Sequence, residues 1–182
     1  MAARNKVIVA LAMVGVLLLV YIQGVLIPNK LERERRYELE QQSPLTHDVS
    51  TILPYKSQYM GDASNLMNLY AHLPLNGVKR TFQLYPDDLT LEINYLEKAA
   101  DVGEEQVSSA LLYNSIAAFA LIDNLQTIRY RFPDAIYQLT RGDMNQLLHV
   151  DLAADLLEQQ TWKKEVQGRI KEWTKESSRF WQ

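Results

Sequence analysis

Three histidines, an adjacent pair of aspartates and a Gly-Asp step are the groups in this 182-residue chain with enough chemistry to suggest a site. Two histidines hold a metal or activate water only when their spacing sets both rings on one face, as in H-x-x-x-H. His47, His72 and His149 fall in separate segments without such spacing, so they read as solvated surface residues. Asp87 and Asp88 could share a proton or bind calcium, yet they follow Pro86 between two alternating runs, where proline and aspartate set turn dihedrals. Asp134, after Pro133, reads the same way. Asp62, in "KSQYMGDASNLMNLYAHLP", precedes an apolar stripe of helical spacing. It is expected as a structural cap, its carboxylate accepting from the amides near Ser64 and Asn65. Gly61 would allow the turn, and Tyr59 or Met60 would pack on the first helical turn.

The sequence holds no G-x-S-x-G elbow, Walker loop, G-x-G-x-x-G or H-E-x-x-H, and no window fits an EF-hand. It has no cysteine, which excludes a thiol nucleophile, a disulfide framework, a zinc ribbon and a lipid-modified cysteine anchor. No catalytic, cofactor-binding or metal-binding residue is assigned, and the chain is expected not to be an enzyme.

The elements that must carry any site begin with an uncharged run of 21 residues, 7–27, long enough to cross a bilayer as a helix. A cleaved signal peptide has a shorter apolar core and a small-x-small site; here the run ends in "GVLIPNK", so an uncleaved signal anchor is expected. Residues 1–6 then form a cytoplasmic tail, 28–52 a helical stalk and linker, and 53–182 an extracytoplasmic domain. Pro28 should close the span. Orientation is contested: Arg4 and Lys6 precede the run while Lys30, Arg33, Arg35 and Arg36 follow it, and that count alone would place the C-terminal side in the cytoplasm. Charge is segregated too. Residues 1–36 carry six basic and two acidic residues, 37–160 seven and seventeen, and 161–182 six and three. An acidic body is a poor nucleic-acid binder.

Within the domain, Leu66, Leu69, Tyr70 and Leu73 make one helical stripe. "VKRTFQLY" and "LTLEINYL" alternate across "PDD" as one hairpin, and "LQTIRYRF" and "PDAIYQLT" make another. Between them, residues 110–122 carry no charge, which predicts a central helix covered on all sides, with Asn124 able to terminate it. Thr140 and Asp143 resemble an N-cap and its partner acid, with a further helix near Asp151. Trp162, Val166, Ile170, Trp173 and Phe180 line a last helix that either packs on the sheet or lies on a membrane surface; packing is preferred, with Trp181 left accessible. The fold class is α+β: a small antiparallel sheet of about four strands with helices on one face. Its outward side chains, Lys79, Thr81, Gln83, Thr90, Glu92, Asn94, Arg129 and Arg131, form the candidate binding face.

The stretches "YKSQYMGDASNL", "LTLEINY", "LLYNSIAAFALIDNLQTIRYRF" and "YQLTRGDMNQLL" resemble a domain of unknown function of Gram-positive bacteria, found in membrane-tethered proteins and lipoproteins and beside membrane metallopeptidases of the β-lactam-sensor type. The resemblance covers residues 53–151. It implies an extracytoplasmic domain on a cytoplasmic membrane, which supports the outward orientation, and it brings no catalytic residues. Tyr113 and Asn114 within it read as structural, because a buried amide must find partners. The expected function is a single-span membrane protein whose outer domain binds an envelope or membrane protein in sensing or regulation. The alternative is a small-molecule or peptide-binding module on the exposed sheet face. A third reading, a hydrolase using Asp62 or a histidine, requires those groups to meet in a cleft.

Overall fold

The computed structural model describes residues 2–148 and 154–177 and divides into two compact units, residues 1–40 and 41–182. His149, Phe180, Trp181 and the helix expected near Asp151 lie outside the described residues.

In the first unit, helix α1 (Ala2–Tyr21) passes through a π turn at Ile22–Leu26 into α2 (Ile27–Gln41). The helix thus runs on through Pro28 into the charged stalk. The proline's missing amide and its ring disturb the carbonyl four residues back, and the turn just ahead is widened, with the Ile27 amide donating to the Ile22 carbonyl. Further along α2, Lys30 pairs with Glu34 and Glu32 with Arg36 at i, i+4 spacing, which favours helix at charged positions. The helix near the N-terminus is long and apolar enough to cross a membrane.

The second unit begins earlier than expected. Pro44, His47, Val49 and Ile52, in the stretch read as linker, are all buried, so the folded unit opens at Gln41 and not at Leu53. Helix α3 (Ala63–His72) follows. Strands β1 (Arg80–Tyr85) and β2 (Thr90–Tyr95) form an antiparallel hairpin, and β3 (Thr127–Arg131) and β4 (Ile136–Thr140) form another. Between the hairpins run α4 (Ala99–Val102) and α5 (Glu104–Leu121), joined at Gly103, whose φ of 111° is a conformation suited to glycine.

The sheet order is β1-β2-β3-β4, and β2 pairs with β3 in parallel. The sheet is thus mixed. Each hairpin reverses locally, but the link between them is a helical crossover that returns the chain to the same end, which is what a parallel neighbour requires. Thirteen of the eighteen residues of α5 are buried, in keeping with its uncharged sequence. It ends at Leu121, short of Asn124, whose side chain instead accepts from the Met60 amide at 2.7 Å.

Helices α3 and α5 both reach the inner face of the sheet: the Tyr130 hydroxyl lies 3.1 Å from that of Tyr70 and 3.0 Å from Ser115 Oγ. After α6 (Arg141–Leu148), the last segment is α7 (Gln159–Thr161), a π turn at Trp162–Gln167, and α8 (Ile170–Ser177). Trp162, Val166, Ile170 and Trp173 all enter the core.

Candidate functional site

The eight residues of the candidate face come together because the pleat sends alternate side chains to opposite sides and the register fixes their neighbours. Thr81, Asn94, Arg131 and Ile136 form one cross-strand row; Gln83, Glu92, Arg129 and Gln138 form the next. Leu84, Leu91, Ile128 and Leu139 occupy the opposite, inner face. Parallel pairing of β2 with β3 is what sets Arg129 beside Glu92.

Two of the eight are not open to solvent. Thr90 and Glu92 are each only 7% exposed. The Glu92 carboxylate is held from three sides: Oε2 accepts from Arg129 Nη1 at 3.2 Å and lies 3.8 Å from Arg131 Nη1, while Oε1 accepts from Asn94 Nδ2 at 3.3 Å. Arg129 Nε also donates to Gln138 Oε1 at 3.0 Å. The middle of the face is therefore a network of side chains satisfied by one another. Gln138, Thr127, Thr140 and Ile136 share this face and were missing from the expected set, although the alternation in "PDAIYQLT" already pointed Gln138 outward. Clefts open elsewhere on the domain and at one end of the sheet. One of about 630 Å³ lies among Gln42–Leu45, the first turns of α5 and α8. A shallower one of about 650 Å³ lies at the β3–β4 turn, from Arg131 to Tyr137.

The isolated carboxylates have local duties. Asp62 Oδ1 accepts from the Asn65 amide at 2.9 Å at the start of α3; Met60 is buried beside it while Tyr59 stays exposed. That cap counts against a hydrolase built on Asp62. Asp143 Oδ2 accepts from the Thr140 amide and hydroxyl, at 2.9 and 2.6 Å, and the Asp143 amide donates back to Thr140 Oγ1 at 3.1 Å. Asp134 does more than shape its own turn. Its two oxygens accept from the amides of Ala99 and Ala100, at 2.8 and 3.1 Å, so one hairpin caps the helix that follows the other. Those bonds hold its carboxyl below the usual range. Among the described residues no three His, Cys, Asp or Glu side chains gather as metal ligands.

His47 overturns its surface reading: it is 2% exposed. Its Nε2 lies 2.7 Å from the His72 carbonyl, which can only accept, so the ring proton sits on Nε2. Nδ1 is then an acceptor for the Tyr113 hydroxyl at 2.9 Å, and that hydroxyl accepts from Trp162 Nε1 at 2.9 Å. Burial lowers the His47 pKa, against the opposing pull of its bond to His72 and of Asp48, and it pushes the Tyr113 hydroxyl well up. Gln167 Nε2 completes the cluster by donating to the carbonyls of Pro44 and His47 at 3.0 and 2.8 Å. Asn114 donates to the Pro74 carbonyl at 2.8 Å, a structural bond to a loop. These contacts are a fastening and hold nothing in a cleft.

The matched family runs over residues 52–140, from the turn before α3 to the last residue of β4. That stretch matches the model of a domain of unknown function, DUF4825. The matched stretch takes in both hairpins and α5, while the 41–51 segment and the C-terminal helices that share its core lie outside it. No curated protein and no solved structure matches the chain.

Proposed function

We propose that this is a single-span membrane protein whose extracytoplasmic DUF4825 domain is non-catalytic and binds another envelope or membrane protein, in sensing or regulation, through the polar face of its sheet. The observation that supports this most is the fate of the chemistry-bearing groups. Asp62, Asp134 and Asp143 cap helices, His47 is locked inside, and a set of mutually bonded polar side chains makes up the face around Glu92. A rigid, extended face of this kind suits contact with a macromolecule.

The residues 7–27 are the signal anchor in this reading, with 1–6 inside and the domain in the envelope. A C-terminal reporter fusion tests that topology: activity only when the reporter is exported is expected, and cytoplasmic activity alone overturns it. Photo-crosslinking from Thr81 and Gln83 in living cells tests the partner. One specific envelope protein should be recovered from both positions, and recovery of none under several growth conditions removes the proposal.

A further inference from the structure

We infer that the partner segment lying on this sheet is an extended acidic stretch with interspersed apolar side chains, held by Arg129, Arg131 and Lys79. This rests on the sheet-face reading above and adds the chemistry of what is bound.

Charge is the first argument. Residues 37–160 hold seventeen acids and only seven Lys or Arg. Two of the seven are committed to the fold: Arg80 donates to the carbonyls of Tyr70, Leu75, Asn76 and Val78, and Arg141 to those of Ile122 and Leu125. Three of the remaining five, Lys79, Arg129 and Arg131, belong to the candidate face, where the strands contribute one acid, Glu92. A body with a large negative excess thus turns a positive face outward. Such a reversal attracts anionic segments and repels cationic ones.

Geometry is the second. Glu92 gathers two guanidiniums on one buried oxygen, and Gln138 fixes the plane of Arg129. A guanidinium has five donors, and these bonds use Nε and Nη1 of Arg129 while its Nη2 group remains for another acceptor. The Arg131 side chain is 47% exposed. Two oriented guanidiniums side by side fit carboxylates that bind in a forked manner.

The third argument is apolar. Ile136, in the same row as Arg131, is exposed, and so is Leu96, one residue beyond β2. The shallow cleft from Arg131 to Tyr137 takes in Ile136, and its one acid, Asp134, is bonded to the Ala99 and Ala100 amides. The face also carries Gln83, Asn94 and Gln138, amides that can bond a peptide as a lipid surface would not require. A short acidic stretch alternating with aliphatic residues matches all three features.

The test uses the full chain in nanodiscs of uncharged lipid. The probes are a fluorescent peptide alternating glutamate with valine, its counterpart with lysine for glutamate, and vesicles of anionic lipid. The acidic peptide is expected to bind saturably and the basic one not at all. Arg131→Gln should weaken binding about tenfold or more, Arg131→Gln with Lys79→Gln further still, and added salt should weaken it as well. Lys56→Gln, away from the face, should leave affinity unchanged. The inference falls if neither peptide binds, if both bind equally, if only anionic vesicles bind, or if the face variants bind like the parent. A specific protein crosslinked through Thr81 and Gln83 without any acidic-peptide binding would keep the partner reading and remove this one.

Discussion

The hydroxyl of Tyr113 accepts from Trp162 and donates to His47, so one oxygen joins three segments distant in sequence. Tyr113→Phe would leave both partners buried and unpaired, and a loss of about 2 to 4 kcal/mol is expected in chemical unfolding. His47 adds a pH dependence. The folded state keeps it neutral to lower pH than an ordinary histidine, so in the window between the two pKa values the unfolded chain binds the extra proton. This contribution to stability is complete above about pH 6.5 and is lost progressively as pH falls below that value. Unfolding measured from pH 8 downward should show that decline, weakened in His47→Asn; a parent curve flat through the window would refute it. Among the groups acting on His47, the bond to the His72 carbonyl and the charge of Asp48 oppose the shift, while the charge of the His72 ring adds to it. Asp62 was legible in the sequence because a cap and its amide are three residues apart. His47 was not, because Trp162 and Gln167, its cover, come from the far end of the chain, and the polar residues around it look like a linker. Asp134 was half legible: the turn is local, but the amides it caps are not.

At the scale of elements, periodicity gave each strand its faces without naming its neighbours. The two hairpins follow from alternation and their Pro-Asp turns, whereas the parallel contact of β2 with β3 depends on where the crossover delivers the chain. The uncharged run of α5 foretold burial on all sides, since no stripe was needed to orient it. The last helix was read as one stripe, and the four described apolar residues of that stripe are indeed buried, yet the backbone carrying them is broken by a π turn. Gly168 marks its end. A Cβ there would meet the Lys164 carbonyl oxygen at 2.7 Å, so Gly168→Ala should destabilise by about 1 to 3 kcal/mol. An ordinary helical glycine gives the opposite sign, with alanine better by roughly 1 kcal/mol. Thermal unfolding of this single variant distinguishes the two.

For the whole molecule, the match to DUF4825 stops at Thr140, but the core does not. Trp162 and Trp173 are among the largest buried side chains, and Val49 and His47 close the core from the other flank. Residues 52–140 expressed alone are expected to lack a cooperative thermal transition and to exchange the α5 amides quickly, whereas a chain that also carries 41–51 and 141–177 should protect them; slow exchange in the shorter piece would show that the flanks are dispensable. The same flanks decide how the domain responds to mechanical force. A pull applied to the chain at Gln41 arrives at Pro44 and His47, whose carbonyls are gripped by Gln167 and whose imidazole is tied to the end of α3. Tension entering at this end is thereby passed first to the C-terminal segment and to α3. A load entering there strains side-chain fastenings before it reaches the strands that display the polar face.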